Sequence, residues 1–230
     1  MKRICLSAAL LFAIAGAGSA QQAGPSTNVA WTIDTLNLLR SGDVARGEAL
    51  NKSLECAGCH GDRGVSGNDS WPNLAGHPAG YLFKVMKDYQ DGKLSGTDRG
   101  QLMAFIVEEM SDQDMVDLAA YLAAQDAPPL RETLAADMAN SLDLLGDPKR
   151  FIPPCAVCHG NAGQGDFPDY PALAGQSPEF LARALHDFKS GARGNDVYSR
   201  MRLISAQLTA EEITALASYF AAGGSRAPQQ

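Results

Sequence analysis

The apolar positions of this 230-residue chain fall at helical spacings and almost nowhere in the alternation of a half-buried strand. From Ser111 onward, Met115, Leu118, Ala119 and Leu122 recur at steps of three and four, which lines them along one face. Ser111 and Asp114 read as the capping pair of that helix, and Thr209 with Glu212 supplies the matching capping box near the C-terminus. Pro78 and Pro178 each sit one place after a helix start, where a missing N–H costs nothing, so residues 80–90 and 179–189 are predicted as a further helix pair. The fold class predicted is all-α.

The first residues follow a different pattern. Lys2 and Arg3 precede an apolar run from Leu6 to Ala15, and Gly18-Ser19-Ala20 supplies small residues for cleavage. Residues 1–20 are therefore predicted to be a signal peptide, too short for a membrane span. Cys5 stands at the start of the run, not after a small-residue motif, which argues against a lipid anchor. No later stretch is long and apolar enough to cross a bilayer, so the mature chain is expected to have no membrane span.

Laid on itself, the chain repeats. CAGCHG at 56–61 returns as CAVCHG at 155–160, and Pro72-Asn73-Leu74-Ala75-Gly76 as Pro171-Ala172-Leu173-Ala174-Gly175. Tyr81-Leu82 pairs with Phe180-Leu181, Asp88 with Asp187, and Gly92 with Gly191. After one deletion Met103 pairs with Met201 and Tyr121-Leu122 with Tyr219-Phe220. A weaker echo matches Leu36-Asn37-Leu38-Leu39 to Leu142-Asp143-Leu144-Leu145. Two units are too few for a solenoid and read as tandem domains, residues 21–126 and 127–230. The junction falls around Gln125 to Arg131, where Ala127-Pro128-Pro129 blocks helix continuation.

The formal charge is −7 with Lys2 and Arg3 counted. An acidic surface argues against nucleic acid and suits basic patches on partner proteins. Four cysteines remain beyond the leader: Cys56, Cys59, Cys155 and Cys158. In an oxidising compartment an even count suggests disulfides, but Cys-x-x-Cys-His is the attachment sequence of c-type haem. Two thiols add across the vinyl groups of the porphyrin, and the adjacent histidine, His60 or His159, becomes the proximal iron ligand. A zinc site built from both motifs leaves the histidines and the duplication unexplained. A thioredoxin-like redox pair expects a βαβ pattern that is missing. Two covalent haem c groups are thus predicted.

The sixth iron ligand is sought among Met86, Met103, Met110, Met115, Met138 and Met201. Met103 and Met201 alone recur at equivalent positions, each on a predicted loop from which a thioether can reach the iron. Met110 competes with Met103, but its counterpart is Leu208. Met86, Met115 and Met138 are assigned to core packing. His77 aligns with Gln176 and His186 with Lys87, so both histidines are expected at the surface or behind the ligands. If His77 displaced Met103, the first haem would be bis-histidine with a much lower potential.

With these residues placed, the chain resembles the dihaem class I cytochromes of bacterial periplasms, of the cytochrome c-four type. It is also similar to the haem-bearing subunit of flavocytochrome c sulfide dehydrogenase. The resemblance covers about residues 40–222 and rests on CAGCHG, CAVCHG, PNLAG, PALAG, DYQDGK, DFKSGAR and the two methionines. It implies two helical domains related by a pseudo-twofold, with haem edges near the interface and electrons passing between them. It implies a periplasmic carrier serving an oxidase, reductase or dehydrogenase, with the alternative of a cytochrome subunit in a sulfur-compound-oxidising complex. Two His/Met irons leave no open site, so no catalytic residue is expected. The lead-in, residues 21–40 with Trp31, Leu36, Leu38 and Leu39, departs from simpler carriers and reads as an extra packed helix or a docking surface. Gly146 to Pro154 is short and Pro-interrupted, so the N-terminal helix of the second domain is expected to be truncated.

Overall fold

The computed structural model describes residues 26–132 and 137–224. The expected signal peptide lies outside them. The first half comprises α1 (Ile33–Arg40), α2 (Val44–Ser53), α3 (Ala57–His60), α4 (Ala79–Gln90), α5 (Asp98–Val107) and α6 (Asp112–Ala123). The second comprises α7 (Asp137–Leu144), α8 (Ala156–His159), α9 (Pro178–Ser190), α10 (Arg200–Gln207) and α11 (Ala210–Ala221). Among the described residues the extended pairings are isolated bridges, Asp147 with Ile152 and Asp166 with Tyr170. The chain is all-α, in two domains. Ser111 with Asp114 and Thr209 with Glu212 exchange side-chain and backbone hydrogen bonds at the starts of α6 and α11, as the sequence predicts. Pro178 is the first residue of α9 behind the Ser177 cap, whereas Pro78 is itself the flanking residue of α4.

Leu82, Phe83 and Met86 of α4 meet Met115, Val116, Leu118, Ala119 and Leu122 of α6 in the first core. Val29, Trp31, Leu38 and Leu39 of the lead-in pack against it, so that segment is a packed helix with an extended approach. Helix α2 crosses α6 at Gly47, where a Cβ would stand 2.0 Å from the Asp117 carbonyl oxygen and 2.7 Å from Tyr121 Cβ. The two backbones touch there, and only hydrogen fits between them. Gly47→Val is expected to force the helices apart and to cost about 2–3 kcal/mol. A lower midpoint in denaturant unfolding of the intact protein checks this.

In the second core Ala139 and Leu142 of α7 pack with Leu181 of α9 and with Ile213, Leu216, Ala217, Tyr219 and Phe220 of α11. Helix α7 takes the place of α2, with Ala139 and Asp143 buried as Gly47 and Asn51 are. The expected truncation is a displacement. The helix has eight residues against ten in α2, and it ends before Gly146. Because Pro153-Pro154 cannot continue a helix, residues 145–154 fold back as a loop. Asp147 and Ile152 exchange backbone hydrogen bonds at 2.8 and 3.0 Å. Arg150 clamps this loop to Asp147 and to Glu212, both at 2.7 Å. The leucine echo between residues 36–39 and 142–145 is therefore no structural equivalence, since the first set belongs to α1 and Leu142 to the helix answering α2.

The halves meet along a polar seam. Ser177 Oγ donates to the Asp69 carbonyl at 2.6 Å, Arg183 Nη2 to the Ser70 carbonyl at 2.9 Å, and Arg131 pairs with the Asp69 carboxylate. Lys84 Nζ lies 2.5 Å from Asp88 Oδ2 and donates to the Asn195 carbonyl at 2.7 Å, while Asn195 Nδ2 donates to the same carboxylate oxygen at 2.7 Å. The lead-in reaches both halves. Thr27 Oγ1 donates to Asp88, Asn28 Nδ2 to Asp91 at 3.0 Å, and Ser26 Oγ accepts from Arg202 Nη2 at 3.2 Å.

Candidate haem centres

Each cysteine motif forms a single helical turn, α3 or α8, with the first cysteine as its leading flank. Three-residue spacing on a helix puts Cys56 and Cys59, and likewise Cys155 and Cys158, on one side of that turn. No disulfide joins them. Burial pushes the Cys56 thiol up, and pushes Cys155 up to about 12 with help from the Asp143 charge. Both therefore rest as protonated thiols and not as metal-binding thiolates.

The histidines are held alike. His60 Nδ1 lies 2.9 Å from the Pro72 carbonyl oxygen and His159 Nδ1 lies 3.0 Å from that of Pro171. Burial lowers both pKa values, so both rings are neutral, and a carbonyl partner fixes the proton on Nδ1. That leaves the Nε2 lone pair available to a metal.

Two cavities adjoin these turns. The first, about 250 Å³, is lined by Cys56, Cys59, His60, Leu74, Leu82, Val85, Ile106, Leu118 and Leu122 among others. The second, about 400 Å³, is lined by Cys155, Cys158, His159, Leu142, Leu173, Leu181, Ile204, Leu208, Leu216 and Phe220 among others. Aliphatic walls carrying two thiols and one neutral imidazole match the needs of an apolar macrocycle with a central metal. The residues fit a c-type haem in each half.

Met103 lines the first cavity and Met201 the second. Both stand on helices, α5 and α10, and not on the loops the sequence suggested. The capped start of α5 at Thr97 and the kinked segment 197–199 before α10 bring those helices in over the cavities. Met86 and Met110 also line the first cavity, while Leu208 stands in the second where Met110 does in the first. Met86 and Met115 are buried as expected; Met138 is exposed, since it lies on the outer side of α7.

His186 is exposed and His77 stands behind the peptide that holds His159, the two kinds of place expected for these histidines. His77 is buried in the seam, and its Nδ1 accepts the Ala172 N–H at 3.0 Å. Association of the halves covers it, which no pattern within one repeat reveals. Five residues line both cavities: His77, Tyr81, Phe180, Ala184 and Arg193. They form the wall between the centres, with the Arg193 guanidinium 4.6 Å above the Phe188 ring. Sequence reasoning missed this wall, although the matched aromatics Tyr81 and Phe180 were its signal. At the mouth of the second cavity Phe151 and Leu203 are exposed.

Comparison with known proteins places this geometry. The family model described as Cytochrome c matches twice, over residues 44–126 and 150–222. The chain is 35% identical over 187 residues to cytochrome c4 of Azotobacter vinelandii, covering 78% of this chain and 88% of that one. It is 36% identical over 186 residues to a thiosulfate dehydrogenase electron acceptor of Stutzerimonas stutzeri strain A1501, covering 79% and 84%. Among solved structures it is similar to reduced recombinant cytochrome c4 from Pseudomonas stutzeri, with a TM-score of 0.71, 32% identity, and coverage of 79% of this chain and 99% of that one.

Proposed function

Since the chain belongs to the cytochrome c family, we propose that it is an exported, periplasmic carrier that takes electrons from a dehydrogenase or other respiratory donor and passes them to an oxidase or reductase. It is a dihaem cytochrome that transfers electrons and holds two covalently bound haem c groups. When bound, each group supplies a one-electron iron couple.

The residues divide the work as follows. Cys56 and Cys59 hold the first group and Cys155 and Cys158 the second, through thioether bonds. His60 with Met103, and His159 with Met201, would supply the iron ligands. The thioether favours ferrous iron and raises the potential, and the carbonyl of Pro72 or Pro171 orients each imidazole. The apolar walls limit the contact of both centres with water. Residues 21–126 and 127–230 act as the two domains, and no side chain is assigned a catalytic role. The observation that carries this reading is the shared wall of His77, Tyr81, Phe180, Ala184 and Arg193, which sets the two centres back to back in one molecule.

The likeness to a thiosulfate dehydrogenase electron acceptor favours a second reading, in which the chain is the cytochrome subunit of a dehydrogenase complex. Purification at native abundance separates the two: a stable complex with a dehydrogenase supports the second, and a free dihaem chain the first.

Spectroelectrochemical titration tests the ligand assignment. Met201→Ala is expected to remove half of the methionine-to-ferric-iron band and to lower one potential by more than about 0.1 V, within the ~0.8 V that axial ligands command. Met103→Ala should do the same at the other haem, whereas Met110→Leu leaves both in place. An unchanged spectrum in Met103→Ala, with the band lost in Met110→Leu, would reassign the first ligand.

A further inference from the structure

The peptide group between Pro72 and Asn73 is held at both ends. Its carbonyl oxygen meets His60 Nδ1 at 2.9 Å, and its N–H donates to Gln176 Oε1, in the other half of the chain, at 2.9 Å. The peptide between Pro171 and Ala172 repeats the arrangement in the opposite direction. Its carbonyl meets His159 Nδ1 at 3.0 Å, and its N–H donates to His77 Nδ1 in the first half at 3.0 Å. Gln176 is 2% exposed and His77 6%. The two side chains are counterparts in the duplication, so the halves reach across the seam reciprocally.

We propose that Gln176 and His77 are positioning residues that each set the reduction potential of the opposite domain's haem through that single peptide group. The proposal rests on His60 and His159 being the proximal ligands.

The physical basis is peptide resonance. The C–N bond has partial double-bond character, so an acceptor on the N–H shifts electron density onto the carbonyl oxygen. The carbonyl becomes a stronger acceptor for the histidine Nδ1–H, as in any polarised chain of hydrogen bonds. A more strongly bonded imidazole is a more basic iron ligand, which favours ferric iron and lowers the potential. Burial keeps His77 neutral down to about pH 4, so its Nδ1 lone pair is free to accept. Gln176 is locked by two further bonds, its Oε1 accepting Ser177 N–H and its Nε2 donating to the Asn73 carbonyl, both at 2.9 Å. The two acceptors differ, an imidazole nitrogen facing the second centre and an amide oxygen facing the first. A nearly symmetric molecule thereby gains unequal environments at its two irons.

The test uses the holoprotein, with potentials assigned to each haem by its hyperfine-shifted methyl resonances. His77→Leu is expected to raise the second haem's potential, roughly threefold in its one-electron equilibrium or ~28 mV at about 59 mV per tenfold. The first haem should stay unmoved. In the ferrous protein the His159 Nδ1–H resonance should move upfield as its hydrogen bond weakens. His77→Gln restores an acceptor and should return the potential most of the way. Where His77→Leu does not assemble, Gln176→His carries the same test, since it must lower the first haem's potential and leave the second, in its own half, alone. The proposal is overturned if either variant moves both haems alike, moves the haem of its own half, or leaves the ring-proton resonance in place. A wrong ligand assignment declares itself separately, as a wild-type spectrum without the methionine–iron band or a proximal ligand other than histidine.

Discussion

Replacing Cys155 and Cys158 together with serine is expected to leave one covalent haem per chain and to unfold most of the second half. A hydroxyl does not form the thioether, so intact mass and haem content both fall from two groups to one. The loss of structure follows from the size of what the residues enclose. The second cavity measures about 400 Å³ between Leu142, Leu173, Leu181, Leu208, Leu216 and Phe220. At roughly 24 cal/mol per Å³ of void, leaving it unfilled costs on the order of 10 kcal/mol. That is an upper bound, because the mouth opens to water. Set against a total stability of about 5–15 kcal/mol, it removes most of what holds α7 to α11 in place. The first half keeps its own core and should stay folded. Far-ultraviolet circular dichroism should lose part of its helical signal, with a separate early unfolding step. A variant with full helicity and an unchanged melting temperature would sink this view of the second half.

The next largest effect is expected at the seam. Asp88 is fully buried and accepts from Thr27 Oγ1, Lys84 Nζ and Asn195 Nδ2, while Lys84 is 3% exposed. Asp88→Leu strands the ammonium group in the interior and should cost about 3–5 kcal/mol. The double variant Lys84→Met/Asp88→Leu should recover most of this, since a buried ion pair replaced by packed apolar groups is close to neutral. The pH dependence carries the sign. Burial lowers the Lys84 pKa even with its carboxylate present, and removing Asp88 deepens the depression. Between that lowered value and about 10.4, the unfolded lysine binds a proton that the folded one does not. Stability of Asp88→Leu should therefore rise with pH through this window. Urea midpoints measured from neutral to alkaline pH check it, and a flat profile would contradict it.

What the sequence disclosed follows from what chemistry fixes. Thioether attachment demands two thiols and an imidazole at rigid spacing, so Cys56, Cys59 and His60 announce themselves, and duplication repeats the announcement at Cys155, Cys158 and His159. Helix caps are equally local, which is why Ser111 and Thr209 mark α6 and α11. What the sequence disclosed least were contacts between distant segments. For His77 it leaves open the surface or a place behind a ligand, and the Ala172 N–H across the seam decides between them. Gly47 carries no periodic signal, yet its missing side chain sets the closest helix crossing of the first half. The leucine echo misled because a ten-residue loop before Cys155 shifts α7 upstream, so equal letters no longer mean equal places.

The docking of residues 26–29 bears on how the molecule is completed. These residues leave the ribosome early, but their partners Asp88, Asp91 and Arg202 lie far downstream, the last of them close to the end of the chain. Thr27 and Asn28 can settle once the first half has folded, whereas the Ser26 contact waits until the halves have joined. A chain whose second half has not yet joined holds this segment by its first-half contacts alone, one hydrogen bond short of its final seat.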